Sequence, residues 1–223
     1  MVRELPTPRP STRVAWLIES LRRHLRPLIP GRPDPAAIRR AIMLALAVAV
    51  IAWLGIVMTR YSGRIAVVWL ANGLAVALLL RRPRGDWVLL AGAGFAGNVA
   101  ANLLVGDTLV AATLLALLNS LEIMLVVAAT ARHFAPDGEF ETTAIGRFIA
   151  AALLGPVPGS LISAGWFAWH DGAPIISGLA NWYVSDTLGL LIVAPILLSI
   201  HRSRLSRRAV PESLLTPDRK SVV

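Results

Sequence analysis

The chain contains no cysteine. A disulfide scaffold, an iron–sulfur site and a thiol enzyme all depend on cysteine, so none of them applies. Charge is scarce as well. Only 16% of the 223 residues are charged, against about 25% in an ordinary soluble domain. The few charges avoid long stretches: residues 87–131 hold only Asp107 and Glu122, and residues 148–200 hold only Asp171 and Asp186. A water-soluble fold of this size cannot bury that much apolar chain. Disorder is excluded from the opposite side, because disordered chains are poor in Leu, Ile and Val, whereas 56% of this chain is hydrophobic. The class that remains is all-α, a polytopic transmembrane helical bundle. The apolar runs lack the period-two alternation that marks a membrane barrel.

A bilayer-crossing helix needs about 20 mostly apolar residues. Six runs qualify or come near: 40–59, 65–80, 87–105, 108–131, 148–168 and 179–200. The second is short. Lys and Arg mark the cytoplasmic side of such proteins. Residues 1–40 carry nine of them, and the 81–86 loop carries Arg81, Arg82 and Arg84. Arg132 and Arg147 flank the connection between the fourth and fifth runs, and the tail carries Arg202, Arg204, Arg207, Arg208, Arg219 and Lys220. With about six spans and both termini cytoplasmic, 20 of the 22 cationic residues lie inside, and only Arg60 and Arg64 lie outside. The formal charge of +9 is then a topology marker. No nucleic-acid partner is expected, since no folded basic domain stands behind the charge. The outer loops are too short to form a domain, so any external signal or substrate has to be handled within or between the helices.

Three segments follow. Residues 1–38 form a basic N-terminal segment. Within it, Val14, Leu17, Leu21, Leu25 and Leu28 at helical spacing, interleaved with arginines, fit an amphipathic helix on the anionic inner leaflet or a helix docked on a partner. Residues 39–201 form the membrane bundle. Residues 202–223 form a basic cytoplasmic tail or linker.

An ionisable side chain inside hydrocarbon is costly and usually functional. Two lie well inside the runs, Glu122 and Asp186. Asn72, Asn98, Asn102, Asn119 and Asn181 accompany them. Asn98 and Asn102 share one helix face, Asn119 and Glu122 another, and Trp182 and Asp186 a third. At about 1.5 Å per residue, these groups fall between the midplane and the outer leaflet. They read as one polar layer, a ligand-sensing or switch site for a small ligand of unknown identity, with Asp186 paired to Asn98 or Asn102. The same residues would equally serve as interhelical hydrogen bonds that hold the bundle together. Ala93, Gly97 and Ala101 form a small-xxx-small series suited to close helix approach. Pro156, Pro158 and Pro195 remove backbone donors and read as hinges or as static kinks.

Catalytic and cofactor chemistry is not legible. Ser160, Ser163 and His170 lack a nucleophile elbow. The four histidines, His24, His133, His170 and His201, lie outside the runs or at their ends, which disfavours haem. There is no P-loop, zincin helix or Rossmann glycine set. No cofactor, metal site or enzymatic activity is expected.

One stretch has a familiar pattern. Asn181 to Ile200 reads NWYVSDTLGLLIVAPILLSI. It resembles the last conserved helix of the membrane-associated sensor domain, MASE type 1, with Trp182, Asp186, Gly189 and Pro195 on that family's Trp, Asp-x-x-Gly and Pro positions. Trp69 and Gly73 in VVWLANGLAVALLLRR are similar to its aromatic-Pro-x-x-Gly signature, with Leu70 where the family usually has proline. The third run, with WVLLAGAGFAGNVAANLL, is similar to the family's Gly-rich helix with a terminal Asn. The resemblance covers roughly residues 65–200. It implies a sensory module of bacterial inner-membrane signalling proteins, usually placed before a diguanylate cyclase, a cyclic-di-GMP phosphodiesterase or a histidine kinase. The family commonly has eight spans, two more than are read here. No cyclase or kinase motif follows Arg208, so the expected partners are the lipid bilayer, a cytoplasmic signalling domain or protein, and a second copy in a homodimer. A small transporter or substrate-binding membrane subunit is the rival expectation, because buried acids and broken helices also build transport sites.

Overall fold

The computed structural model describes residues 34–59, 68–133 and 142–208. The amphipathic segment read at 12–29, the outward-facing Arg60 and Arg64, and the tail beyond Arg208 lie outside the described residues. The described chain is helical, with no strand among the described residues. Seven α-helices follow one another: α1 Pro35–Thr59, α2 Leu70–Leu80, α3 Trp87–Leu104, α4 Leu109–Thr130, α5 Thr142–Leu154, α6 Pro156–Asp171 and α7 Ile175–Arg208.

Five segments are long and apolar enough to cross a bilayer: Pro35–Met58, Arg84–Leu104, Leu109–His133, Ala144–Asp171 and Ile175–Ile200. The fourth of these joins α5 and α6. Gly155 between them keeps helical angles, φ −59° and ψ −42°, and its N–H still reaches the Ala151 carbonyl at 2.8 Å. Pro156 and Pro158 therefore cost two backbone donors without ending the span. Pro195 likewise sits inside a helix that continues past it.

The expected second crossing at 65–80 is described from Val68 onward. Among the described residues of this run, Leu70–Leu80 is helical, 11 residues, or about 16 Å of rise, half a hydrocarbon core. Val68 and Trp69 are non-helical, and the Trp69 N–H donates to the Ser185 carbonyl at 3.0 Å. Ser185 lies ten residues into α7, about 15 Å from its start. α2 thus begins beside the middle of the apolar part of α7. Irregular backbone survives at such depth only where protein buries it, and Trp69 is buried. Leu70, which departs from the proline of the resembled signature, is the first residue of this helix, where proline's missing N–H costs nothing.

α2 is buried almost all round, through Ala71, Asn72, Gly73, Ala75, Val76, Ala77 and Leu79. It packs on α1, α3, α4 and α7, while α4 packs on α2, α3, α5 and α6. α1 shows the pattern of a lipid-facing helix. Ala37, Ala41, Leu44, Val48 and Ala52 are buried on one stripe, and Ile38, Ile42, Met43, Leu46 and Val50 are exposed on the other. Apolar groups on both faces fit protein on one side and lipid on the other. Gly97 of the small-residue series packs directly on α1, where an added Cβ would strike the Ala45 carbonyl and Val48.

The helix ends sort into two layers. At one end Arg40 pairs with Asp86 at 3.4 Å, Arg81 donates to the Leu197 carbonyl and Arg147 meets His133. The described arginines whose side chains are placed all lie at this basic end. At the opposite end stand Asp107, the His170–Asp171 pair at 2.9 Å, and the Trp166–Trp169 and Trp166–His170 ring contacts, with centroids 5.5 and 5.3 Å apart. Aromatics of this kind favour a membrane–water interface.

Candidate functional site

Four of the polar residues converge between α2, α4 and α7. Asn72, in the first turn of α2, donates from Nδ2 to Asn119 Oδ1 at 2.8 Å and to Glu122 Oε1 at 3.1 Å, both on α4. The Glu122 and Asp186 carboxyls lie close enough to act on each other electrostatically. A hydrogen bond between two carboxyl groups requires a proton on one of them. Trp182, one turn before Asp186, turns its indole toward the Asp186 carboxyl, yet Trp182 Nε1 meets no acceptor at full hydrogen-bond geometry. The two acids and both asparagines are at most 3% exposed, so water does not screen them.

Local sequence sets this arrangement. Asn119 and Glu122, three residues apart, project from one face of α4. Asn72 sits at the helix start, where free N–H groups and the helix dipole favour negative charge. Gly155 and Gly159 leave room for the acid from the α5–α6 side. A Cβ at Gly155 would lie 2.7 Å from Val126 and 3.8 Å from Glu122 Cγ, and one at Gly159 would lie 3.3 Å from Trp182 Nε1. The glycines that flank Pro156 and Pro158 thus form a wall of the site.

The layer also divides the apolar core. Ile123, Val126, Val127, Ala71 and Ala75 belong to the main cluster, whereas Leu115, Leu118 and Trp182 form a separate small cluster with Phe167 beside it. Around the layer several buried polar atoms have no hydrogen-bond partner: Trp69 Nε1, Asn72 Oδ1, Glu122 Oε2, Ser185 Oγ, Asp186 Oδ2 and Thr187 Oγ1, besides Trp182 Nε1. Orphaned groups of this kind are rare and call for a cause.

Other expected members stand apart. Asn98 and Asn102 are buried on α3 and joined to each other, Asn102 Nδ2 donating to the Asn98 carbonyl at 2.9 Å. The pairing of Asp186 with either of them is replaced by Glu122. α3 packs on α1, α4 and α2, whereas α7 packs on α6, α2 and α5, so α2 stands between them and shared depth does not become contact. Asn181 is exposed. Sequence spacing does not point to Trp69, Ser185 and Thr187 as polar members. Their place beside the acids follows from the break before α2, which no apolar run announces. Among the described residues no three of His, Asp or Glu converge to hold a metal.

The glycines of the resembled motifs have a direct role. A Cβ on Gly73 would strike the Gly189 carbonyl, and a Cβ on Gly189 would strike the Trp69 carbonyl. The backbones of α2 and α7 touch there, one turn from Asp186.

No curated protein matches the chain, and no solved structure matches it. A family model, MASE1, matches residues 39–216. The match takes in α2 to α7 whole and α1 from Arg39 onward, and α1 lies outside the stretch where the motifs are legible. With its five bilayer-length apolar segments, the chain is a multi-pass protein of the bacterial inner membrane and belongs to MASE1, a family of integral membrane sensory domains.

Proposed function

We propose that this bundle senses a signal within the membrane and relays it to a cytoplasmic signalling output, with the Glu122–Asp186 pair as the switch. The observation that carries this reading is the cluster of orphaned polar atoms around two buried acids. Each unsatisfied buried group costs about 1–3 kcal/mol. A proton, or a small polar ligand, that satisfies several of them shifts the packing by a corresponding amount. Both termini are cytoplasmic in this reading, because the arginines gather at the end where α1 begins and α7 leaves. Asp186 stands on α7, which spans 34 residues or about 51 Å, well beyond a hydrocarbon core of about 30 Å. A displacement at Asp186 therefore has a continuous helical path out of the basic end. Pro156, Pro158 and Pro195 serve as the points that yield. Residues 202–223 link to the output, a cyclase, phosphodiesterase or kinase domain, and a homodimer couples two such linkers. The role is non-catalytic.

The test is the full chain fused at its C-terminus to a diguanylate cyclase reporter. Asp186→Ala is expected to lock or abolish modulation of output in normally inserted protein. Unchanged modulation would remove the switch role from Asp186.

One observation favours a second reading. A half-helix whose N-terminus points at buried charge in mid-membrane is the architecture of transporter substrate sites, and α2 has that form. Solute uptake by the purified chain in liposomes would establish transport instead of pure sensing.

A further inference from the structure

A second feature lies at the basic end, away from the acid pair. A cavity of about 250 Å3 opens between α1, α2 and α3, with Arg40 and Arg82 at its mouth and Met43, Ala47, Leu78 and Leu90 along its walls. Arg40 Nη2 is 3.4 Å from Asp86 Oδ2, while Arg40 Nε is buried without a partner. Asp86 offsets one of the two guanidinium charges, which leaves the mouth net positive. Below the arginines the walls are apolar, and Met43 is 64% exposed on the outward stripe of α1. From Arg40 to Ala47 the groove runs seven residues, about 10 Å along the helix.

We infer that this groove binds an anionic phospholipid of the inner leaflet. Guanidinium groups match phosphate oxygens in planar, bidentate fashion, and basic pockets between membrane helices on the cytoplasmic side hold anionic headgroups. The phosphate sits between Arg40 and Arg82, on their terminal guanidinium N–H groups. The first carbons of one acyl chain lie along Met43 and Ala47, where a soluble anion would leave apolar wall uncovered. The lipid bridges α1, α2 and α3 at the end where α7 leaves the bundle, since Arg81, next to Arg82, holds the Leu197 carbonyl.

The test uses the full chain in nanodiscs of mixed phosphatidylcholine and phosphatidylglycerol, with the retained lipid counted by native mass spectrometry. The wild type is expected to retain phosphatidylglycerol preferentially. Arg40→Gln with Arg82→Gln is expected to weaken that preference about tenfold or more, at roughly severalfold per cation. Arg82 is exposed, so Arg82→Gln alone leaves the fold intact and isolates the headgroup contact. Ala47→Trp fills the apolar wall, keeps both arginines, and is expected to lose the lipid too. Arg132→Gln, another basic-end arginine, is expected to retain it. Glycerol phosphate, a headgroup without chains, is expected not to compete. Equal retention of the two lipids by the wild type, an unchanged preference in the arginine variants or in Ala47→Trp, or displacement by glycerol phosphate would overturn the inference.

Discussion

Gly73 of α2 and Gly189 of α7 pack so closely that a methyl group on Gly73 would strike the Gly189 carbonyl and one on Gly189 would strike the Trp69 carbonyl just before α2. This contact fixes where α2 begins. It brings the Trp69 N–H to the Ser185 carbonyl and sets Asn72 against Glu122. Two residues that read as motif glycines are therefore what allows a half-length helix to dock beside two buried acids.

Replacement of either glycine is expected to destabilise the bundle. Gly189→Ala forces a Cβ against the Trp69 carbonyl and carbon, backbone atoms that cannot rotate away. Overpacking of this kind costs about 1–3 kcal/mol, read as a lower unfolding temperature in detergent. Gly92→Ala is the control. Nothing lies within 4 Å of its Cβ, so the helix is expected to gain slightly from the loss of glycine flexibility.

Asn72 and Asn98 separate the two asparagine groups. Asn72→Ala removes two interhelical hydrogen bonds, each worth about 0.6 kcal/mol on average in a membrane. It also leaves Asn119 and Glu122 without that donor. Asn98 makes no side-chain bond to the acid site, and Asn98→Ala is expected to cost less than half as much. Equal losses in reversible unfolding would show that the α3 pair belongs to the same network.

The acid pair is expected to be energetically coupled. Glu122→Gln and Asp186→Asn each supply an amide donor to the opposing carboxyl, so either alone allows a bond across the pair. The double variant places two amides face to face, which changes both donor count and fit. A double-mutant cycle on unfolding free energy is expected to give a coupling of about 0.5–3 kcal/mol. Additive effects would mean that the carboxyls do not act as a unit.

Sidedness has a clean assay because the chain has no cysteine. Gly85→Cys, exposed in the connection before α3, and Ser177→Cys, exposed at the start of α7, sit at opposite ends. In intact cells an impermeant thiol reagent is expected to label Ser177→Cys and not Gly85→Cys. The reverse pattern would invert the topology and move the acid pair's output path outside.

Much of this was legible in the sequence for simple reasons. Long apolar runs broken by arginines mark spans, and the cost of a buried carboxylate singles out Glu122 and Asp186. The partners were harder to find. Helical spacing tells which residues share a face of one helix, so Asn119 and Glu122 could be joined in advance. It does not tell which helices touch, so spacing alone leaves Asp186 open to α3 as well as to α4. The second run shows as one apolar stretch because hydropathy responds to composition and not to backbone angles. Trp69, in an apolar stretch, gives no sign that its peptide N–H leaves the helix for Ser185. The prolines at 156 and 158 point to a break, yet helical angles at Gly155 carry the span through.

The relay itself is most directly measured as a distance. Spin labels at Gly85→Cys and Ser199→Cys, both exposed, report the position of α7 against the loop before α3. They are measured in otherwise wild-type chain and in chain carrying Asp186→Ala. If the Glu122–Asp186 pair sets the position of α7, the variant's distance distribution is displaced by about 2 Å or more, the scale of helix shifts in switching proteins. Superimposable distributions in folded, membrane-inserted protein would contradict the account.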